Sequence, residues 1–247
     1  KIVMLSNPAH LNSKTIEKIK CYVENGGTLY VSGGEQPEIL EMIGTKRIGT
    51  TKQRNTYVAP LSQSEELFDG FNSKYPLAIG CNLPICETPN DAEVLATITL
   101  PYIHPNPEYT DAFASIHSNP PGTSTEYSAV ILKKYGKGKI IWSAASIEAL
   151  ETYDHQNVFA NLLNLSGVEY TVKSTASDNL ELISFEAETE VLVSGVYVTD
   201  AQHTEIQRPF EISVKTKEPK KVTLLRDSSD IPFTYENGYT NFTTKEL

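Results

Sequence analysis

Residues 22–36, YVENGGTLYVSGGEQ, set a glycine pair on each side of a short apolar run. The run TLYVSGG, residues 28–34, reads as a short strand that stops at glycines. Upstream of it, KTIEKIKCYVEN (residues 14–25) places Ile16, Ile19 and Val23 at helical spacing, and Asn25-Gly26-Gly27 supplies the left-handed residue that stops a helix. Before that, KIVMLS (residues 1–6) reads as a buried strand, and NPAHLNS (residues 7–13) ends in polar residues able to cap the helix. Strand, helix and strand within about 30 residues predict a βαβ unit with parallel strands and a right-handed crossover.

The second glycine pair poses a chemical question. A phosphate loop would want GxGxxG or GxxxxGK[ST], and VSGGEQPEIL gives only Gly33-Gly34 followed by Glu35, whose charge opposes a phosphate. A nucleophile elbow would want Ser or Cys between glycines, whereas Ser32 precedes the pair. The residues predict a turn at the sheet edge.

With 247 residues and 39% hydrophobic content, the chain can bury one substantial core or two modest ones. Two domains are expected. The formal net charge of -10 argues against nucleic acid or an anionic membrane as partner and leaves neutral ligands such as sugars open. Three cysteines, Cys21, Cys81 and Cys86, form no CxxC pair, which fits a reducing compartment and a cytoplasmic location. No apolar run reaches the length of about 20 residues that spanning a bilayer requires, and residues 1–30 lack the order of a signal peptide. The chain starts without Met inside an apparent strand and ends just after a hairpin, so a fragment of a longer polypeptide is expected.

Residues 35–128 show only one clear strand, AEVLATITL (92–100), and the stretch PYIHPNPEYTDAFASIHSNPPG (101–122) reads as a long loop. Order resumes in SAVILKKYGKGKIIWSAAS (128–146), two strands about a turn at Gly136 and Gly138, and in the helix DHQNVFANLLNLSG (154–167). After Gly167 the segments EYTVKST, LELISF, EVLVSGVYV, FEISVKT and KVTLLR are strand-like. Phe210, Ile212 and Val214 alternate with Glu211, Ser213 and Lys215, and Asn237-Gly238 marks a tight hairpin. An α/β domain over residues 1–168 and a small all-β sandwich over 169–247 are expected.

Candidate chemistry is sparse. Cys21 falls within the first helix, and Cys81 and Cys86 lie in GCNLPIC without a neighbouring histidine, so inert thiols are expected. The histidines at 10, 104, 117, 155 and 203 offer no i, i+4 metal pair, so neither a metal nor a cofactor is expected. His104 and His117 flank the long loop, where Ser115, Ser118 and Asn119 add neutral groups of the kind that bind sugar hydroxyls or meet a partner. A solvated Pro-rich loop that satisfies its own backbone is the competing reading, and both stay open. Glu148 and Glu151, three apart, read as a solvated acidic face, and Trp142 as core.

Three stretches, IVMLSNPAHLNSKTIEKIKCYVENGGTLYVSGG (2–34), FASIHSNPPGTSTEYSAVILKKYGKGKIIWSAASIE (113–148) and DHQNVFANLLNLSGVE (154–169), resemble the class I glutamine amidotransferase-like domain that follows the catalytic barrel in many glycoside hydrolases. The trimerisation domain of family 42 β-galactosidases is similar, and the later two stretches look like the group labelled hypothetical glycosyl hydrolase 6. The resemblance implies a flavodoxin-like three-layer domain with a mainly parallel sheet, followed by the small sandwich that ends such enzymes. It also implies that a (β/α)8 barrel and the first βα unit lie outside these residues. No position matches the cysteine of the amidotransferase elbow, so no catalytic residue is carried over. The function implied is a non-catalytic accessory or oligomerisation region, with its own barrel and further copies of itself as partners and carbohydrate as ligand. A free-standing Cys-His hydrolase or amidotransferase and a carbohydrate-binding module are the alternatives.

Overall fold

The computed structural model describes residues 1–34, 36–103, 113–114, 118–176, 180–197 and 209–244. Strand β1 (Ile2–Leu5), helix α1 (Ser13–Glu24) and strand β2 (Thr28–Ser32) form the βαβ start, with β1 and β2 parallel. The Asn12 side chain caps α1 by accepting the Thr15 amide at 2.9 Å. Past its other end, Gly26 takes a φ of +105°, a conformation L side chains rarely adopt. Ile16, Ile19 and Val23 are buried, as their spacing predicts, and so are all five residues of β2. A strand buried on both faces reads as a continuous run rather than an alternation.

The chain continues through α2 (Pro37–Ile43), β3 (Arg47–Thr50), β4 (Thr56–Pro60), a 3-10 turn at Ser62–Phe68, β5 (Leu77–Ile79), β6 (Pro84–Cys86), β7 (Glu93–Pro101) and β8 (Pro121–Tyr135). It then forms β9 (Gly138–Ser143), a second 3-10 turn at Ile147–Ala149, and α3 (Tyr153–Asn164). Seven strands make one sheet in the order β1-β2-β9-β8-β7-β4-β5, and β3 pairs with β6 apart from it. Only β1, β2 and β9 run parallel to their neighbours; the other pairings, from β9–β8 to β4–β5, are antiparallel. This corrects the expectation of a mainly parallel sheet. The cause is local: Tyr135 pairs with Gly138 across a tight hairpin, too short for the crossover that a parallel partner needs. The coarse class is α/β with a mixed sheet.

The described part of residues 35–128 holds more order than the one strand read from the sequence. Helix α2 is only seven residues long with four of them buried, too short and too apolar to show a period. Strand β8 begins at Pro121, seven residues before the run SAVILKK, and its register against β7 shifts repeatedly, so alternation breaks down. One apolar core unites these elements, with Trp142, Tyr30, Phe68 and Ile98 wholly buried. Tyr30 meets Phe159 of α3 edge-on at 5.1 Å between ring centres, while α1 packs across β2 and β9 and against α2.

Backbone contacts divide the chain into Lys1–Val168 and Glu169–Leu247. The second unit is all antiparallel. Its strands are β10 (Val172–Ser174), β11 (Leu180–Glu186), β12 (Val191–Tyr197), β13 (Glu211–Lys215), β14 (Val222–Leu224), β15 (Ser229–Ile231), β16 (Phe233–Glu236) and β17 (Tyr239–Thr243). A four-stranded sheet, β10-β13-β17-β16, and the hairpins β11-β12 and β14-β15 result. Phe210, Ile212 and Val214 form its buried cluster, joined by Leu182 and Val193 of the β11-β12 hairpin and by Phe242. Asn237 (φ +51°) and Gly238 (φ +80°) make the β16–β17 turn, as that dipeptide predicts.

Candidate functional site

The parallel strands end at or just before a serine (Ser6, Ser32, Ser143), and their carboxyl edge is where the unit gathers its polar chemistry. Glu148, in the turn after β9, accepts three hydroxyls: Ser6 Oγ at 2.6 Å, Ser32 Oγ at 2.5 Å and Tyr30 OH at 2.8 Å. Ser32 Oγ also accepts the Asn7 amide at 3.1 Å and lies 3.1 Å from Ser146 Oγ. Burial, reinforced by the neighbouring Glu148 charge, pushes the Tyr30 phenol well above its ordinary pKa, so it stays a donor. Glu148 is therefore the centre of a partly buried network and not part of a solvated acidic face; Glu151 is exposed. Sequence patterning singles out neither Ser6 nor Ser146, and it reads Ser32 and Glu148 only as a turn residue and an acidic face. The signal available was a serine at or just past the end of each parallel strand.

The glycine pair answers its question here. Ser32 is fully buried with its hydroxyl committed to Glu148, and Gly33 turns at φ +77°. The Gly33 amide donates to the Ser143 carbonyl at 2.8 Å, and its carbonyl accepts the Trp142 indole N–H at 2.6 Å. A Cβ on Gly33 would stand 2.2 Å from Asn7 Oδ1. The turn is a packing device, and it presents no attacking atom.

Beside it opens a cleft of about 380 Å³ lined by Asn7, Gly33, Gly34 and Ser146 from the parallel strand ends and by Arg47, Thr50, Cys81 and Asn82 opposite. Arg47 donates to Thr50 Oγ1 at 2.7 Å and to the Gly49 carbonyl at 3.3 Å. Asn82 Nδ2 donates to the carbonyls of Thr51 (2.7 Å) and Gln53 (3.1 Å), which fixes its amide. Burial raises the Cys81 thiol, and it pushes the Cys86 thiol up to about 11 despite the nearby Arg47. Both thiols are protonated near neutral pH, the opposite of what a nucleophile needs.

His155 is engaged at both ring nitrogens, Nδ1 by Thr152 Oγ1 and Nε2 by the Ala78 carbonyl at 2.7 Å, so it ties α3 to β5. His104, Ser115 and His117 lie outside the described residues. Ser118 is exposed, and its carbonyl accepts the Ala114 amide at 2.7 Å. Asn119 Oδ1 accepts the Ile103 amide at 2.9 Å, its Nδ2 donates to the Ile103 carbonyl at 3.3 Å, and its own carbonyl accepts Tyr57 OH at 2.6 Å. Its side chain clasps the base of the 101–122 segment. Among the described residues no group of His, Cys, Asp and Glu could hold a metal ion, and no helix is long and apolar enough to cross a membrane.

No protein-family model matches this chain, and no curated protein does. Solved structures do match. α-L-Fucosidase isoenzyme 2 from Paenibacillus thiaminolyticus aligns with 18% identity and a TM-score of 0.77, over 100% of this chain and 39% of that one. Gan42B, a GH42 β-galactosidase from G. stearothermophilus, aligns with 15% identity and a TM-score of 0.61, over 100% of this chain and 30% of that one. The β-galactosidase from Bacillus circulans sp. alkalophilus aligns with 14% identity and a TM-score of 0.55, over 99% and 33%. At these identities the likeness is one of fold, and the chain spans 30–39% of the length of these glycoside hydrolases.

Proposed function

We propose that this chain is a non-catalytic accessory region of a glycoside hydrolase, which supports or lids the active site of a (β/α)8 barrel lying outside these residues and assembles with further copies of itself. The carrying observation is the extent of the match: the α/β unit and the β unit align together over the whole chain, yet over only 30–39% of each hydrolase. The finer kinship with flavodoxin-like amidotransferase domains, and a sandwich architecture for the β unit, belong to the same proposal. The parallel βαβ start with a closed turn at Ser32-Gly33 supports the first, and the apolar cluster shared by the β11-β12 hairpin and the four-stranded sheet supports the second.

The physical role is to deepen a cleft built by another domain. A wall that excludes water and adds polar contacts strengthens sugar binding without supplying the chemistry. The segment 101–122, with His104, Ser115, His117, Ser118 and Asn119, is the part we assign to that contact, and Asn119 fixes where it leaves the sheet. The isolated chain should turn over neither aryl glycosides nor glutamine. Steady hydrolysis of either substrate that disappears in Cys81→Ala or Cys86→Ala would contradict the proposal and favour a self-sufficient Cys-His enzyme.

A further inference from the structure

We infer that the cleft at the carboxyl edge of β1, β2 and β9 binds a neutral polyhydroxylated small molecule of monosaccharide size. This goes beyond the accessory role, which assigns sugar contact to the 101–122 segment alone and needs no ligand in this cleft. Position is the first support. β2 leads to α2, which packs on α1, whereas β9 leads through Ile147–Ala149 to α3. Open α/β sheets bind ligands outside the carboxyl ends of their parallel strands, and Asn7, Gly33, Gly34 and Ser146 place this cleft there. The volume of about 380 Å³ falls within the range of roughly 300–1,000 Å³ typical of small-molecule sites. Another depression, of about 520 Å³ and lined by Lys1, Lys18, Cys21 and Tyr22 at the amino ends of the same strands, lies more open to solvent.

Chemistry is the second support. Part of the lining is apolar, from Ile79, Pro84 and Leu150, and suits the C–H face of a sugar ring. The rest offers hydroxyls and amides, from Asn7, Thr50, Asn82 and Ser146; Asn82 has both amide hydrogens on backbone carbonyls and Ser146 gives its hydrogen to Ser32, so these two present acceptors to a ligand hydroxyl. These groups are held in place: Asn82 by two backbone carbonyls, and Ser146 by Ser32, whose hydroxyl ends on Glu148. A ligand hydroxyl bonded to Ser146 would thus join a relay terminated by a carboxylate, which strengthens a neutral donor and opposes an anion. Among the described residues Arg47 is the one charged side chain in this lining, and its guanidinium is engaged by Thr50 Oγ1 and the Gly49 carbonyl, so a comparison of neutral and acidic sugars decides whether that charge selects an anion.

Cys81 supplies the probe, because it lines the cleft and is exposed while Cys86 is buried. In the 247-residue chain carrying Cys21→Ser, alkylation of Cys81 by iodoacetamide is timed with D-galactose, L-fucose or D-glucuronate present at increasing concentration. The expected result is a several-fold, saturable slowing by a neutral sugar and little effect of glucuronate. Ala149→Trp, which fills the cleft from an exposed position, should abolish the slowing, and Ser146→Ala should weaken it while the melting temperature stays near that of the parent. No slowing by either neutral sugar, a stronger effect of glucuronate, or slowing that survives both substitutions would overturn the inference. Turnover is a separate readout: a cleft that fails to bind leaves the accessory role standing, and turnover by the chain refutes that role whatever the cleft binds.

Discussion

The parallel and antiparallel parts of the seven-stranded sheet treat polar groups differently. At the carboxyl edge of β1, β2 and β9, the hydroxyls of Ser6, Tyr30 and Ser32 converge on one carboxylate. Within β7 and β8, Thr99 Oγ1 and Ser128 Oγ are buried with no hydrogen-bond partner among the described residues, and the register slips repeatedly. Buried polar groups in proteins are nearly always paired. The difference teaches that placement of side chains is held tightly at the parallel edge, while the antiparallel extension tolerates irregularity as a supporting scaffold.

The comparison can be broken most forcefully at Trp142. Its indole is wholly buried and bonds the Gly33 carbonyl, so Trp142→Ala should cost about 3–5 kcal/mol in denaturant unfolding. A loss below about 1 kcal/mol would mean that the parallel edge is not the anchor of the unit.

Serines provide the sharper test. Ser32→Ala removes the hydroxyl that links Glu148 to the Asn7 amide and should cost about 1–3 kcal/mol. Ser128→Ala deletes an unpaired group and should be neutral or slightly stabilising. Equal losses at the two sites would erase the distinction drawn between them.

At Asn119 the expected effect is smaller. Asn119→Ala removes both side-chain bonds to Ile103 and should lower stability by about 1–2 kcal/mol, with increased proteolysis near residue 103 as a second readout. Unchanged stability and protection would show that the clasp carries no weight.

The smallest effect is a pH dependence. A hydrogen bond from Lys133 holds the exposed Asp91 carboxylate below its ordinary pKa. A depressed folded-state value contributes stability that is present above the unfolded pKa, about 4, and is lost as pH falls through the folded value. The stability gap between the parent and Asp91→Asn should therefore narrow on acidification below about pH 4. A gap that widens there would reverse the assigned sign.

How much of this was legible follows the same division. The βαβ start could be read because β2 is a continuous apolar run and α1 carries buried residues at helical spacing between Asn12 and Gly26. The hairpin at Asn237-Gly238 was equally plain, since that dipeptide accepts two positive φ values. Helix α2 and strands β3 to β6 were hidden by their brevity, and the bulges between β7 and β8 scrambled the period on which a strand is recognised. Direction of pairing was misjudged because the mainly parallel sheet came from the family resemblance, although the turn read at Gly136-Lys137-Gly138 is too short for a parallel crossover. The Glu148 network escaped because its members are distant in sequence, Ser6 and Glu148 being 142 residues apart, and join only when the strands align.

The most direct measurement takes the (β/α)8 barrel that the proposal places outside these residues and compares three proteins for glycoside hydrolysis: the barrel joined to this chain, the barrel alone and this chain alone. The expected order is highest kcat/KM for the joined protein, less for the barrel, and none for the chain. Hydrolysis by the chain alone, or a barrel equally active without it, would contradict the assignment of this chain as a wall around chemistry carried out elsewhere.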